Sequence, residues 1–419
     1  MALPVRSMTL TEAVDTTRTG SAWYFNSDLE YVEESTSDVA RIDYDPATGD
    51  RLGLMAEGAS TNFATPSTTT DEVFNSTGLN RVSFDSTANN KSFGTNIPLR
   101  GLIPSTDNAT HFISTSETGG TAGGTKTFSC YAIAGDNSNF EVWVFGTAGD
   151  RVEVRFNLTG AGSVAASSDS GTPVFESARI RLVGQSDQGD DVYRCEVTGN
   201  YPGSTSTAWA IFLTNSSGGT FFTGDGSTVR TYIGGIQFEE LPGASSYIPT
   251  TTAQVTRAAE THELVSLDPW YRASGYSVAV QYRMRIGDSV GRPLAISDAS
   301  GQNRVYVINN LGGNVTLAVE TQNNFQADTI SATPTGAHEV GKIAFRVAAG
   351  DSAASHDGSA AVASSQSGLP SAATQVGIGT QINSSGNLGV ALQGWIQDVK
   401  YTTQLWTDAE LEAESGDTV

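Results

Sequence analysis

The chain has 419 residues, 45 of them glycine and only 16% charged, with a net charge of −22. A polyanion of this kind is unsuited to non-specific nucleic-acid binding, which sets Lys and Arg against phosphate. No run of about 18 apolar residues occurs, so no helical membrane insertion is expected. The opening "MALPVRSMTLTEAVD" carries no apolar stretch of a secretory leader.

The length allows two or three domains. Ser, Thr and Gly between short apolar runs predict an all-β chain of antiparallel strands joined by polar turns. Residues 1–70 read as irregular. "SAWYFNSDLEYVEES" offers one or two short strands. "DYDPATGDRLGLM" is a turn, with φ fixed at Pro46 and positive φ open to Gly49. An apolar-dotted stretch without a sheet of its own reads as a docking segment that contacts other chains.

From 71 to 250 the alternation is clean. In "RVEVRFNLTG", Val152, Val154, Phe156 and Leu158 share one face, and Arg151, Glu153, Arg155 and Asn157 the other. "FEVWVFG", "ARIRLVG", "VYRCEVTG", "TAWAIFLTN" and "TYIGGIQFEEL" repeat the signal, which predicts a β-sandwich. Pro242 and Pro249 are poor central-strand residues. They put the boundary near 245–265, with a linker at 251–262. From 263 to 419, "YSVAVQYRMRI", "NRVYVINN", "VTLAVET" and "GKIAFRVAAG" predict a second antiparallel sandwich. Near the end, Thr407 followed three residues on by Glu410 is a capping box, so a short helix is expected there. Total helix should stay below roughly a tenth.

The chemistry-bearing patterns are sparse. His111, His262, His338 and His356 show no metal-ligand spacing. "GDS" occurs at Gly287–Ser289 and Gly350–Ser352, the second close to His356 and Asp357. No G-x-S-x-G elbow accompanies either, so both read as strand-connecting loops. Glu33 and Glu34, like Glu239 and Glu240, are adjacent and point to opposite faces of a strand, so neither pair can flank one glycosidic bond. Asp190 and Asp191 read as turn formers, with structural calcium as the alternative and no other cofactor expected. Cys130 and Cys195 read as buried free thiols, with a disulfide between them as the alternative.

Aromatic residues are the remaining signal, because sugar C–H faces stack on Trp and Tyr. If Val142 and Val144 fill the core, Trp143 stands on the outer face with Glu141 and Phe145. Those three and Tyr131 are the candidate carbohydrate-binding residues. Trp209 shares its face with Ile211 and Leu213 and reads as core.

"ARIDYDPATGDRLGLMAEGASTNF" resembles a segment near the start of many tailed-bacteriophage structural proteins, at Arg41, Asp43, Tyr44, Asp45, Pro46, Thr48, Gly49, Gly53, Leu54, Glu57, Thr61 and Asn62. "TFSCYAIAG" and "DDVYRCEVTG" resemble strands of the carbohydrate-binding-module-like jelly roll of those proteins. "TYIGGIQFEELPGASSYIPTTTAQVTRAAE" resembles its closing segment, at Gln237, Glu239, Gly243, Ser246 to Thr250, Val255 to Arg257 and Ala259, with Glu260 as the final acid. The C-terminal part, 263–419, resembles a laminin-G/concanavalin-A-like sandwich, in the stretch from "KIAFRVAAG" to "AELEAES".

The resemblance implies a non-catalytic virion structural protein, a fibre or spike on tail or head, displaying glycan-binding sandwiches on the virion surface. It implies docking to other virion proteins through the N-terminal segment, a homo-oligomer with a trimer as the leading expectation, and a host-surface glycan as ligand. The rivals are a capsid decoration or tail component without a ligand, and a polysaccharide depolymerase.

Overall fold

The computed structural model describes residues 13–67, 78–85, 90–95, 97–117, 123–204, 207–265, 274–284, 290–310, 315–321, 324–330, 340–364, 373–383 and 385–416. Among these the strands form two face-to-face pairs of antiparallel sheets, the two-sandwich, all-β class that the sequence predicts.

In the first sandwich one sheet runs in the order Val174–Gln185, Asp191–Asn200, Thr125–Ala134, Thr231–Glu239, Ile97–Pro104, Val82–Phe84. Its partner runs Ser163–Ser170, Arg151–Asn157, Asn139–Phe145, Thr207–Leu213, Phe112–Glu117, Leu79–Asn80. Alternation decides what lies between them. Phe128, Cys130, Ala132, Cys195, Val197 and Phe238 from the first sheet meet Phe140, Val142, Val144, Val152, Val154, Trp209, Ile211 and Leu213 from the second. Trp209 is core, as its parity predicts. Cys130 and Cys195 stand opposite each other in the ladder as buried free thiols.

The second sandwich has one sheet in the order Val14–Thr17, Thr261–Leu264, Gln375–Ile378, Leu294–Ser297, Arg304–Asn310, Val315–Thr321, Asn324–Ile330. The other is Val362–Ser364, Ser352–His356, Val340–Val347, Tyr276–Met284, Gly394–Thr402, Arg51–Ala56, Ile42–Tyr44. Val278, Val280, Ile343, Phe345 and Ile396 pack on Ile296, Val305, Val307, Leu317 and Val319 between them. The helix Asp408–Gly416 follows the predicted capping box. Its Glu410 carboxylate accepts the Thr407 N–H at 2.7 Å, and Thr407 Oγ1 accepts the Glu410 N–H at 3.3 Å.

The reading of residues 1–70 as a segment without a sheet of its own is corrected over 13–67; residues 1–12 and 68–70 lie outside the described residues. Val14–Thr17 pairs with Thr261–Leu264, and Arg51–Ala56 pairs with Gly394–Thr402. Ser60–Asn62 pairs with Val255–Arg257. The hairpin Ala22–Phe25/Tyr31–Glu34 lays Trp23, Phe25 and Tyr31 on the outer face of the first sandwich, against Phe93, Ile97, Leu99, Ile133 and Tyr247. Strands of three to six residues carry too little alternation to read in isolation, and their partners lie hundreds of residues away. Gly53 shows how close that pairing is. Its φ is +117°, and a Cβ there would sit 2.3 Å from the Ile396 carbonyl oxygen.

A buried polar network ties this segment to the connector after Thr231–Glu239. The Arg41 guanidinium, fully buried, donates to Glu260 at 2.9 Å, to Glu57 at 2.9 Å and to the Trp23 carbonyl at 2.7 Å. Arg257 pairs with Glu57 at 2.9 Å, and Arg18 with Glu260 at 3.3 Å. Glu57 also accepts the Ser246 N–H at 2.8 Å, while Glu239 accepts from Ser60 at 2.6 Å and from the Ser245 N–H at 3.0 Å. The Asn62 amide bonds the carbonyls of Ile236 and Ile248 and accepts the N–H groups of Ala64 and Phe238. Three guanidiniums face two carboxylates, Glu57 and Glu260, in a region closed to water, where charges persist only if paired and hydrogen-bonded. Two carboxylates hold Arg41 well above the ordinary arginine range despite its burial.

Candidate functional site: an aromatic trough on the first sandwich

The sheet containing Asn139–Phe145 turns its outer face away from the core. Trp143, Phe145 and Glu141 stand on it together, as parity predicts, because Val142 and Val144 face inward. The ladder adds neighbours on both sides. Thr207–Leu213 pairs with Asn139–Phe145 and with Phe112–Glu117, which puts Phe112 opposite Phe212. The ring centroids of Trp143 and Phe212 are 4.1 Å apart, those of Phe112 and Phe212 4.8 Å, and those of Trp143 and Phe145 5.9 Å. Ala208 and Ala210 occupy the middle strand between these rings. Small side chains flanked by large ones make a trough of about 250 Å³, walled by Phe112, Phe145 and Phe212 and edged by Ser114.

The polar groups on this face hold the rings in place. The Trp143 indole N–H donates to Glu141 Oε1 at 2.5 Å. Arg155 donates twice to Glu141 Oε2, at 2.9 and 3.1 Å. Arg151 lies over the Trp143 ring, 4.2 Å from its centroid, and donates to Glu153 at 2.5 Å. Both Glu141 oxygens therefore already carry donors and the residue is 6% exposed, so Glu141 braces Trp143 and Arg155. Trp143 and Phe145 are half-buried, with surface left for a ligand.

Tyr131 does not join them. It lies on the other sheet, on the face opposite its core neighbours Cys130 and Ala132, and is 2% exposed beneath the N-terminal hairpin. Its ring packs 5.2 Å from Phe93 and 5.8 Å from Tyr31. Tyr131 is a packing residue, because the hairpin claims the face on which a ligand would have to sit. Phe212 was legible from its parity with Ala210 in "TAWAIFLTN". Phe112 was not, since only the strand order brings it alongside.

The other sequence candidates are dispersed. Asp190 accepts from Lys91 and, at 3.1 Å, from Ser186, and Asp191 opens the next strand. No group of three or more His, Cys, Asp or Glu that could hold a metal ion occurs among the described residues. His356 and Ser352 lie four residues apart on one strand, roughly 13 Å at strand rise. The Ser352 hydroxyl turns to the Ala348 carbonyl, and His356 Nε2 lies 3.3 Å from the Tyr282 hydroxyl. That is the packing of a strand pair. Gly287–Ser289 and His338 lie outside the described residues. Glu239 and Glu240 diverge as expected, Glu239 into the buried network and Glu240 to Lys126.

No family model matches this chain, and no curated protein matches it. Among solved structures, the CBM40 of the Ruminococcus gnavus IT-sialidase overlaps 34% of this chain and 84% of its own, at 12% identity and a TM-score of 0.31. The mouse laminin alpha1 domains LG4-5 overlap 72% of this chain and 88% of their own, at 12% identity and a TM-score of 0.28. A SAP-like pentraxin from Limulus polyphemus overlaps 33% of this chain and 68% of its own, at 13% identity and a TM-score of 0.28. Superpositions this loose do not bear on what the chain binds.

Proposed function

We propose that this chain is a non-catalytic adhesion protein whose aromatic trough holds a sugar ring of a host-surface glycan. One observation carries the reading: an outer sheet face on which Phe145, Phe212 and Phe112 surround an alanine floor, with the Trp143 ring packed against those of Phe145 and Phe212. An amphipathic pyranose gains CH–π contact and desolvation on such a face. Ser114 at the edge can hydrogen-bond a hydroxyl. Because the trough is shallow, affinity should come from several weak sites acting together, which suits an oligomer.

The reading sets the protein on the surface of a tailed-phage virion, as a homotrimeric fibre or spike joined to other virion proteins. The resemblance over Arg41–Asn62 and Gln237–Glu260 supports that setting. The second reading, a virion component without a ligand, makes the trough an anchor for a neighbouring chain.

The test is Trp143→Ala, measured for host-cell adsorption and for incorporation into particles. Lost adsorption with normal incorporation supports the glycan trough. Lost incorporation makes Trp143 an interface anchor. Normal behaviour in both assays refutes any role for this face. Antibody labelling of particles under negative stain tests the virion setting independently.

A further inference from the structure

A second cavity, of about 110 Å³, lies where the two sandwiches and the N-terminal hairpin meet. One wall is the outer face of Val174–Gln185 and Asp191–Asn200, with Arg179, Arg181, Arg194 and Glu196. The other carries Tyr24, Tyr44 and Trp395, and Trp23 also lines it.

Two like charges meet on the first wall. Arg181 stands directly opposite Arg194 in the ladder, a like-charge pairing that costs stability when nothing lies between. Glu196, opposite Arg179, is shared, at 3.2 Å from Arg181 and 3.8 Å from Arg194. Glu196 is thus shared between Arg181 and Arg194. Facing it, Asp43 is committed to the Phe25 N–H at 2.8 Å and the Trp395 indole at 2.9 Å, and Asp45 accepts the Ala47 N–H of its own turn.

Three buried donors around this cavity have no hydrogen-bond acceptor among the described residues: the Nε groups of Arg181 and Arg194 and the indole N–H of Trp23. Trp23 is 3% exposed. Buried donors left without an acceptor cost free energy, and a bound anion would supply several at once. Arg194 is held rigidly for such a role. It donates to the Ser245 carbonyl at 2.6 Å and lies over the Tyr131 ring.

We propose that this cleft is a separate ligand site, and that it takes a carboxylate-bearing sugar residue, such as a uronate, within an acidic polysaccharide. The carboxylate sits against Arg181, Arg194 and the Trp23 N–H, and the pyranose ring lies toward Tyr24, Tyr44 and Trp395. Cavities at domain junctions, with apolar walls and a few convergent polar groups, are where small ligands settle. The argument does not use the aromatic trough, so the two sites stand or fall separately.

The experiment is calorimetric titration of the full chain with tri-galacturonate and with the same trisaccharide after carboxyl reduction. The acidic form should bind, and the reduced form at least tenfold more weakly. Arg181→Gln should weaken the acidic trisaccharide by about tenfold or more, the loss of one charged hydrogen bond. Arg181 lies on an outermost strand with its side chain 38% exposed, so the fold should tolerate the change. The wild-type comparison of the two trisaccharides stands even if it does not. The proposal is overturned if the acidic form does not bind at millimolar concentration, if both forms bind alike, or if Arg181→Gln binds like wild type. Inorganic phosphate competing as well as the trisaccharide would overturn the sugar assignment.

Discussion

Replacing Arg41 by alanine should loosen the join between the two sandwiches more than any surface substitution. The side chain is fully buried and spans three acceptors, Glu260, Glu57 and the Trp23 carbonyl. Removing one member of a buried ion pair costs about 3–5 kcal/mol, because the partner charge stays behind without compensation. Here the partners are not abandoned. Glu57 keeps Arg257 at 2.9 Å and the Ser246 N–H, and Glu260 keeps Arg18 at 3.3 Å. The expected loss therefore sits at the lower end, about 3 kcal/mol. Arg41→Lys keeps the charge but not the planar fork that reaches three acceptors, so it should fall between wild type and alanine. Urea unfolding followed by tryptophan fluorescence reads the effect as a shift in midpoint. Hydrogen exchange at Ala22–Phe25 and Tyr31–Glu34 shows whether the hairpin opens first. Added salt should change little, since buried pairs are weakly screened. A shift for Arg41→Ala within about 0.5 kcal/mol, the range of ordinary surface changes, would refute the reasoning.

Further outcomes follow from other buried groups. His262 Nε2 bonds the Met55 carbonyl at 2.8 Å, so that nitrogen carries the hydrogen and Nδ1 accepts from Thr16 at 2.9 Å. Burial lowers its pKa, with Glu260 opposing and Arg41 and Arg18 reinforcing the shift. A depressed folded value means the unfolded chain takes up the proton first, so stability present above about pH 6.5 should be lost as pH falls toward the folded value. His262→Gln should flatten that fall between pH 7 and 5 in denaturant titrations, and an equal slope in both proteins would refute the assignment. Burial also pushes the Cys130 and Cys195 thiols far above their usual range. Neither should react with a thiol reagent at pH 8 until the chain is unfolded, and stoichiometric labelling of native protein would contradict the sealed core. The predictions for Trp143 and Arg181 address the two candidate binding sites.

Some of this was legible in the residues. Alternation in "RVEVRFNLTG", "FEVWVFG" and "TAWAIFLTN" sets which side chains face the core, because a strand has a period of two wherever it is placed. That local rule was enough for the all-β class, for Trp209 as core, and for Trp143, Glu141 and Phe145 on one outer face. The capping box at Thr407 and Glu410 was legible for the same reason, since both partners lie within one turn. What escaped was set by contacts across long stretches of chain. Tyr131 has the outward parity of a ligand platform, yet the hairpin from 22–34 covers it. Phe112 reaches the trough only through the strand order. "ARIDYDPATGDRLGLMAEGASTNF" holds no reactive pattern because Arg41, Asp43, Glu57, Ser60 and Asn62 serve the interior. Arg41, Glu57 and Asn62 meet Ile236, Phe238, Ser246, Ile248, Arg257 and Glu260, which lie about 200 residues further along the chain. A guanidinium and a carboxylate some 200 residues apart in the chain look like surface charges until folding removes the water between them. Local periodicity thus fixed which face each strand offers, and only the tertiary structure decided which faces stay open.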